Sequence, residues 1–314
     1  MRTRSLLRWL LLLQAAAALA LAGAAWRWLG VRPAPVALLL GASAVLLVRL
    51  LINANNFVLS ARSASVTPAP FRLGLAGSLR LFGEEFAASM LQSSWSMPRA
   101  APRQVIYPDG AAPPVLLLHG YGCNSGYWSA LAARLDGARI SHATLDLEPI
   151  TGDIDGYVPQ VQRGVAALCA ASGAAQVVIV AHSMGGLAAR AWLRAHGSAR
   201  AARVITLGTP HHGTCLASFG IGRNAAQMRR GGVADGQESA WLGALAQAES
   251  AATRALITSI YSHHDNIIAP QSSSVLEGAR NIAFGGVGHV AMGRNRRVLA
   301  CVMAEIAAPP AAAA

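Results

Sequence analysis

The feature that most constrains this chain is a short β-branched run, Val177–Val180, which leads into the sequence Ala-His-Ser-Met-Gly-Gly at positions 181–186. Four apolar residues bounded by small ones are typical of a fully buried parallel strand, and the Ala, Leu and Arg residues that follow predict a helix. Ser183 is therefore predicted to lie on the tight turn between them. Such a turn exposes a serine hydroxyl at the carboxyl edge of a sheet if the residues two before and two after it are small. Gly185 meets this condition, and Ala181 meets it with one extra methyl group.

A second buried strand, Val115–Leu118, leads directly into a loop with two glycines. In acyl-transfer sites, one N–H group of the oxyanion hole comes from a loop after such a strand, and the other comes from the residue after the nucleophile. We therefore expect the backbone N–H groups of Tyr121 and Met184 to form an oxyanion hole. A glycine-rich turn without a chemical role is the alternative. The expected supporting residues are His119, Gly120 and Gly185, of which His119 is expected to hold the loop and not to act as a base.

Strand-like and helix-like segments alternate along the rest of the chain, which predicts an α/β fold with a mostly parallel sheet and helices on both faces. Ser183, Asp265 and His289 each follow a strand-like segment, in the order nucleophile, acid, histidine. A histidine is needed to take the hydroxyl proton, and a buried carboxylate orients that histidine. These three residues are the predicted catalytic residues. The alternatives are two other histidines as the base and three other carboxylates as the acid: His263, His264, Asp146, Asp153 and Asp155.

The stretch from about 211 to 250 has weak periodicity and several glycines, and it follows directly after the end of a strand-like segment. Loops at this edge of a sheet commonly close over an active site. We therefore predict a small lid or cap insertion here. A plain helical insertion is the alternative.

The amino-terminal part of the chain contains two long apolar runs. From Trp9 to Trp26 no residue is charged, and eighteen helical residues span about 27 Å, close to the hydrocarbon thickness of about 30 Å. The second run extends over 34–52, with Arg49 near enough to its end to snorkel. We interpret residues 1–56 as a transmembrane helical hairpin. A secretory signal and a single span are the alternatives.

Arginines are fewest in the turn of the predicted hairpin, which favours both of its ends, and hence the catalytic domain, on the cytoplasmic side of a bacterial inner membrane. Residues 57–110 are predicted to be a linker and a juxtamembrane amphipathic helix, because apolar residues recur every three or four positions between Leu73 and Trp95. The alternative is that this helix packs on the core of the catalytic domain. Glu84 and Glu85 lie off that apolar stripe. Residues 111–308 are the predicted catalytic domain, and 309–314 are a tail.

The net charge and the spacing of the cysteines limit which ligands, partners and cross-links the sequence predicts. All 26 basic residues are arginine, against 14 acidic ones, and the formal net charge is +12. The arginines are scattered and form no nucleic-acid-binding motif, so contact with anionic lipid headgroups is favoured over nucleic acid. The cysteines match neither a metal-site spacing nor a disulfide scaffold, although a bridge between Cys123 and Cys215 stays open. The sequence indicates no particular protein partner.

The loop at 115–124, the turn at 181–186, the segment at 208–214, Asp265 and His289 together resemble a bacterial lipase or esterase of the α/β-hydrolase superfamily. The lipase branches of that superfamily also carry an Ala-x-Ser-x-Gly turn and a Gly-Thr-Pro-His segment. The resemblance spans about 114–304. It implies an α/β-hydrolase fold and ester hydrolysis through an acyl-enzyme, with a Ser-His-Asp triad and no organic cofactor.

Some lipases of this kind hold a structural calcium ion, but no clear pair of acidic residues flanks Asp265, so we expect no metal. The predicted anchor favours lipid acyl esters as substrates, because it would hold the site beside them. A thioesterase, a phospholipase or an acyltransferase would use the same three residues. A non-catalytic, membrane-tethered scaffold is the alternative outside enzymes.

Overall fold

The computed structural model describes residues 2–110, 112–231 and 236–308. The predicted tail at 309–314 and part of the predicted lid lie outside the described residues. The strands are β1 (Gln104–Val105), β2 (Val115–Leu118), β3 (His142–Leu145), β4 (Val177–His182), β5 (Ala201–Leu207), β6 (Ile257–Ser262) and β7 (Arg280–Phe284). The helices are α1 (Thr3–Trp28), α2 (Ala34–Ala61), α3 (Leu75–Leu91), α4 (Met97–Arg99), α5 (Ser129–Gly137), α6 (Ile154–Ser172), α7 (Met184–His196), α8 (Arg223–Gln227), α9 (Ala240–Gln247), α10 (Ala251–Ala255) and α11 (Arg296–Ala307).

The strands form a seven-stranded sheet in the order β1-β3-β2-β4-β5-β6-β7. Only the pairing of the two-residue strand β1 with β3 is antiparallel, and the other neighbours run parallel. The predicted mostly parallel sheet is therefore confirmed. Parallel strands that are joined by helices place their carboxyl ends at one edge, and this edge is where ligands bind in such sheets.

Side chains of the central strands alternate between two apolar cores, one on each face of the sheet. Leu116 and Ile179 belong to the core that is covered by α6 and α7. Val115 and Val178 belong to the opposite core, which is covered by α5 and α11. Because both faces of a parallel sheet are covered by helices, its strands consist of continuous apolar runs, as β2 and β4 do.

The amino-terminal helices α1 and α2 form a hairpin that packs through small residues. A Cβ added to Gly41 would lie 2.1 Å from the backbone oxygen of Ala18, so the two backbones approach closely at this point. Ala22, Ala25 and Ala37 are buried in the same interface. Close approach through small residues is the usual way in which helices pack in a bilayer. Both helices are long and apolar enough to cross a membrane, with a mean hydropathy of 1.8 for α1 and 2.3 for α2.

Helix α2 continues to Ala61, beyond the predicted boundary at position 56 and into residues that were predicted as linker. That part of the expectation is wrong because packing extends the helix. Asn53 is buried, and the ring of Phe57 lies 5.7 Å from the ring of Phe82 in α3. Three asparagines and a serine in this stretch weaken the intrinsic helix preference, and tertiary contacts override it.

The segment between β5 and β6 forms an insertion that carries α8, α9 and α10. A buried ion pair ties it to helix α7, because the guanidinium of Arg190 binds both carboxylate oxygens of Glu249 at 2.6 and 2.7 Å. Arg190 also donates to the backbone oxygen of His211, 3.1 Å away, in the loop after β5. The insertion is therefore attached to α7 by an ion pair that is buried from water.

Candidate active site

Ser183 lies at the junction of β4 and α7 in a strained backbone conformation, with φ 53° and ψ −126°. Non-glycine residues rarely adopt positive φ, and such strain persists only where the surrounding structure enforces it. Gly185 shows how tight the turn is, because a Cβ at this position would lie 2.6 Å from the backbone oxygens of Leu118 and His119. The structure therefore places Ser183 on a tight turn between β4 and α7, with no room for a side chain at position 185.

The loop after β2 packs directly against this turn. A Cβ on Gly120 would lie 2.8 Å from the Cβ of Ser183 and 3.0 Å from Nδ1 of His182. This contact brings the backbone of the next residue, Tyr121, beside the serine. The amide of Met184 begins α7, so the two predicted oxyanion donors belong to adjacent backbone segments. A helix amino terminus at this position also favours negative charge.

His119 is buried, and both of its ring nitrogens are occupied. The ring donates from Nδ1 to the backbone oxygen of Gly120 at 2.9 Å and accepts at Nε2 from the N–H of Leu147 at 2.9 Å. The tautomer is assigned from these bonds. Burial lowers the pKa of His119, which keeps the imidazole neutral. Its contacts connect the loop after β2 to Leu147 and leave no ring nitrogen free to act as a base.

Asp265 and His289 form the pair that the sequence predicts. Their Oδ2 and Nδ1 atoms are 2.8 Å apart, and both side chains are buried. The other carboxylate oxygen of Asp265 accepts hydrogen bonds at 2.8 Å from the N–H groups of Ile267 and Ile268. Burial opposes the charged form of the imidazole, but the carboxylate of Asp265 outweighs it and the pKa of His289 is raised.

The three predicted catalytic residues lie at the carboxyl edge of the sheet, where each follows the end of a strand: β4, β6 or β7. Gly208, just after β5, marks the crowded centre, because a Cβ there would lie 3.0 Å from Oδ2 of Asp265 and 3.2 Å from Nδ1 of His289. The N–H of Ser183 donates to the backbone oxygen of Leu207 at 2.9 Å. Within the described residues, the Ser183 hydroxyl forms no hydrogen bond with His289. Such bonds are often long before substrate binds and tighten in the Michaelis complex.

The alternative acids and bases are engaged elsewhere. Asp146 accepts from the N–H of Ser125 at 2.7 Å, which secures the end of the loop after β2. Asp153 caps α6, and Asp155 forms an ion pair with Arg194. His264 accepts from the N–H of Gly286, and His263 packs on Phe71. These contacts favour Asp265 and His289 over the other candidates.

Glu85 is the site residue that the sequence did not reveal. It projects from α3, its side chain is buried, and its two carboxylate oxygens accept from the N–H groups of Val290 at 2.9 Å and Ala291 at 2.8 Å. These are the two residues after His289. Because both oxygens are acceptors, the charged carboxylate fits this position. Burial raises the pKa of Glu85, and the two backbone bonds partly offset this effect.

In the sequence, only the spacing of apolar residues in the segment that forms α3 bears on Glu85. That spacing predicts that the side chain lies off the apolar stripe. Glu84, next to it, follows that expectation and pairs with Arg80 at the surface. Asn266 adds a second support that the sequence did not reveal, because its Oδ1 accepts from the N–H of His289 at 3.0 Å. The backbone on both sides of the histidine is thus held by side chains.

A cavity of about 480 Å³ opens above Ser183. Most of its apolar lining comes from the insertion and from the loop after β6, and the tip of the insertion is tied to the loop after β2 by Tyr121. The Tyr121 hydroxyl donates to the backbone oxygen of Ile221 at 2.8 Å and accepts from its N–H at 3.0 Å. The insertion therefore covers one side of the site, as a lid does.

Metal-ligating side chains do not cluster in the part of the chain that the structure describes: no group of three His, Cys, Asp or Glu is placed to hold an ion. The four cysteines, Cys123, Cys169, Cys215 and Cys301, are free thiols, so the bridge that the sequence left open between Cys123 and Cys215 is not formed.

Among curated proteins, a triacylglycerol lipase of Pseudarthrobacter phenanthrenivorans is 32% identical over 114 residues, which cover 34% of this chain and 35% of the relative. A triacylglycerol lipase of Burkholderia plantarii is also 32% identical over 114 residues, covering 34% of this chain and 32% of that protein. This chain therefore spans about a third of the length of the curated relatives that it matches.

Two solved structures have the same fold at low identity. A mature lipase of Bacillus licheniformis superposes with a TM-score of 0.54 at 20% identity, over 66% of this chain and 97% of the other. Lipase B of Aspergillus fumigatus gives a TM-score of 0.54 at 19% identity, over 68% and 57%. A family model described as the alpha/beta hydrolase fold matches residues 113–287, more than half of the chain. The predicted fold class is thereby confirmed, and the chain belongs to the α/β-hydrolase fold family.

Proposed function

We propose that this protein is a membrane-anchored serine hydrolase that cleaves carboxylic esters, most of all acyl esters of lipids. The observation that carries the proposal is the position of Ser183, on a strained turn under an apolar cavity and at the same sheet edge as the Asp265–His289 pair. The names of the curated lipases support the same class of substrate.

The proposed reaction has two steps. Oγ of Ser183 attacks the ester carbonyl while Nε2 of His289 takes its proton, and the C–O bond to the alcohol then breaks as His289 returns the proton to the leaving alkoxide. Water, deprotonated by His289, attacks the acyl-enzyme and releases the carboxylic acid and the free serine. Asp265 orients His289 and stabilises its charged form. The N–H groups of Tyr121 and Met184 would stabilise the negative oxygen in both steps.

The proposed anchor is the hairpin of α1 and α2. Its 26 and 28 residues extend about 39 and 42 Å, which is enough to cross a hydrocarbon layer of about 30 Å. Large apolar side chains are exposed along both helices, among them Trp9, Leu13, Leu39 and Leu51. A bilayer would cover this surface. The positive-inside count favours the cytoplasmic side for the catalytic domain.

Replacement of the nucleophile tests the proposal directly. We expect Ser183→Ala to lower kcat on p-nitrophenyl esters by about 10⁴-fold or more, because His289 then has no hydroxyl to activate. The matched control is Ser198→Ala, an exposed serine in the loop between α7 and β5, which should keep wild-type activity. If Ser183→Ala retains wild-type turnover, the nucleophile assignment is wrong.

Analysis of the reaction products distinguishes a hydrolase from an acyltransferase. A hydrolase releases the free carboxylic acid, whereas an acyltransferase yields an ester or amide of a second acceptor, and chromatography separates the two.

The pH dependence of ester hydrolysis should be sensitive to the charge of Glu85. His289 must be neutral to accept a proton, and its pKa is raised above 6.5, so kcat/KM should fall as the pH drops through that raised pKa. Glu85→Gln removes one of the negative charges that raise it. We expect the acid limb of the kcat/KM profile to move to lower pH. Glu84→Gln, at the partly exposed neighbouring position, should leave the limb in place. A limb that is equally unmoved in Glu85→Gln would contradict this role for Glu85.

Membrane attachment predicts a specific fractionation. The full chain should stay in the membrane pellet after alkaline carbonate extraction, because two apolar spans hold it in the bilayer. Amino-terminal sequencing should then find an uncleaved start. Release into the supernatant, or a mature terminus after one of the small residues of α1, would favour a secretory signal instead.

A further inference from the structure

The wall of the cavity above Ser183 includes part of the amino-terminal hairpin. Among the described residues that line it, three belong to α2: Asn55, Asn56 and Leu59. The remaining walls come from the loop after β2, the insertion after β5 and the loop after β6. Helix α2 also contacts the 3₁₀ turn Cys215–Phe219 of the insertion. The hairpin therefore does more than precede the catalytic domain, since it closes one side of the cavity.

The chemistry of the cavity fits an acyl chain. Its lining side chains are mostly apolar, and none of the described residues that line it is charged. Its apolar lining residues include Leu59, Leu216, Phe219, Met228, Ile267 and Ile268. The two asparagines supply amide groups at the α2 side. Burial of a hydrocarbon chain in a cavity of this composition is favourable. A charged group would find no opposite charge there to offset the loss of its hydration.

The α2 wall is held by contacts that lie before and after Leu59 in the chain. Arg49 of α2 donates to the hydroxyl groups of Ser93 and Ser94, in the π-helical turn after α3. Beyond the end of α2, the N–H of Ser65 donates to Oε1 of Gln271 at 3.0 Å. Gln271 in turn donates to the backbone oxygen of Asp265 at 2.9 Å. The chain that leaves α2 is thus connected to the loop that carries the proposed acid.

The distance along α2 places this wall close to the bilayer. Leu59 lies seven residues beyond Ile52, the end of the second apolar run, and seven helical residues extend about 10 Å. An acyl chain of ordinary lipid length spans that distance. A lipid whose ester lies at the headgroup level can therefore reach the cavity along the same helix that anchors the protein.

From this placement we propose that α2 is a specificity-determining wall of the acyl site, with Leu59 setting the space for long acyl chains of membrane-lipid esters. This inference rests on the proposed ester hydrolysis and goes beyond it. Membrane anchoring and chain-length selection would then share one helix. The proposal predicts that a change in the size of residue 59 alters which acyl-chain length is preferred.

The test uses the full chain in mild detergent and two chromogenic esters, p-nitrophenyl butyrate and p-nitrophenyl palmitate. Leu59→Trp fills part of the cavity, so we expect kcat/KM for palmitate to fall by about 10-fold or more relative to kcat/KM for butyrate. The matched control is Val58→Trp, the neighbouring residue on α2, which is 53% exposed and does not line the cavity. Its palmitate-to-butyrate ratio should equal that of the wild type.

A second variant keeps the test decisive if tryptophan prevents folding, as judged by loss of a cooperative thermal transition. Leu59→Ala enlarges the cavity and should shift the ratio in the opposite direction, towards the longer ester. A wild-type ratio in either folded variant would overturn the role of α2. If the proposed ester hydrolysis itself is wrong, the result differs: the wild type and Ser183→Ala would then be equally inactive on both esters.

Discussion

The backbone strain at Ser183 is the constraint on which the rest of the structure depends. A residue with positive φ at the end of a buried strand needs neighbours that prevent its relaxation. The contact of Gly185 with the backbone oxygens of Leu118 and His119 supplies this restraint, and it is possible only because β2 and β4 are adjacent parallel strands in the observed register. The same pairing brings the loop after β2 against the serine. The pairing of β2 with β4 therefore accounts both for the strained turn and for the position of the loop beside Ser183.

The amino-terminal third of the chain is part of this arrangement. Helix α3 buries a carboxylate, Glu85, beneath the two residues that follow His289, and α2 closes the cavity through Leu59. A buried carboxylate is tolerated when its oxygens accept several hydrogen bonds, as here. Removing the hairpin and α3 would therefore expose both the proposed acyl site and the backbone that supports the proposed base. Under the proposed function, anchoring and catalysis are coupled through these contacts.

The central part of the fold could be predicted from the sequence because its signals are local. The apolar runs of β2 and β4, the small residues around Ser183 and the strand ends before Asp265 and His289 are each visible within about ten residues. The apolar runs of α1 and α2 are equally local. Periodicity also indicated α3 correctly, which begins at Leu75.

The remaining features depend on contacts between distant parts of the chain, which a single sequence does not show. Glu85 is about two hundred residues from the backbone groups that it binds, and only the fold brings them together. The extension of α2 to Ala61 depends on packing against α3, while its own residues favour a helix weakly. The ion pair between Arg190 and Glu249 likewise joins two segments whose charges carried no sign of burial.

The most direct test of the central claim is to map where a fluorophosphonate attaches to the full, folded chain. Such probes phosphonylate a serine that an adjacent base activates, so the account predicts a single adduct on the peptide that contains Ser183, found by mass spectrometry. The adduct should be lost in His289→Gln, because the activating base is then missing. An adduct on a different residue, or undiminished labelling of Ser183 in His289→Gln, would contradict the account.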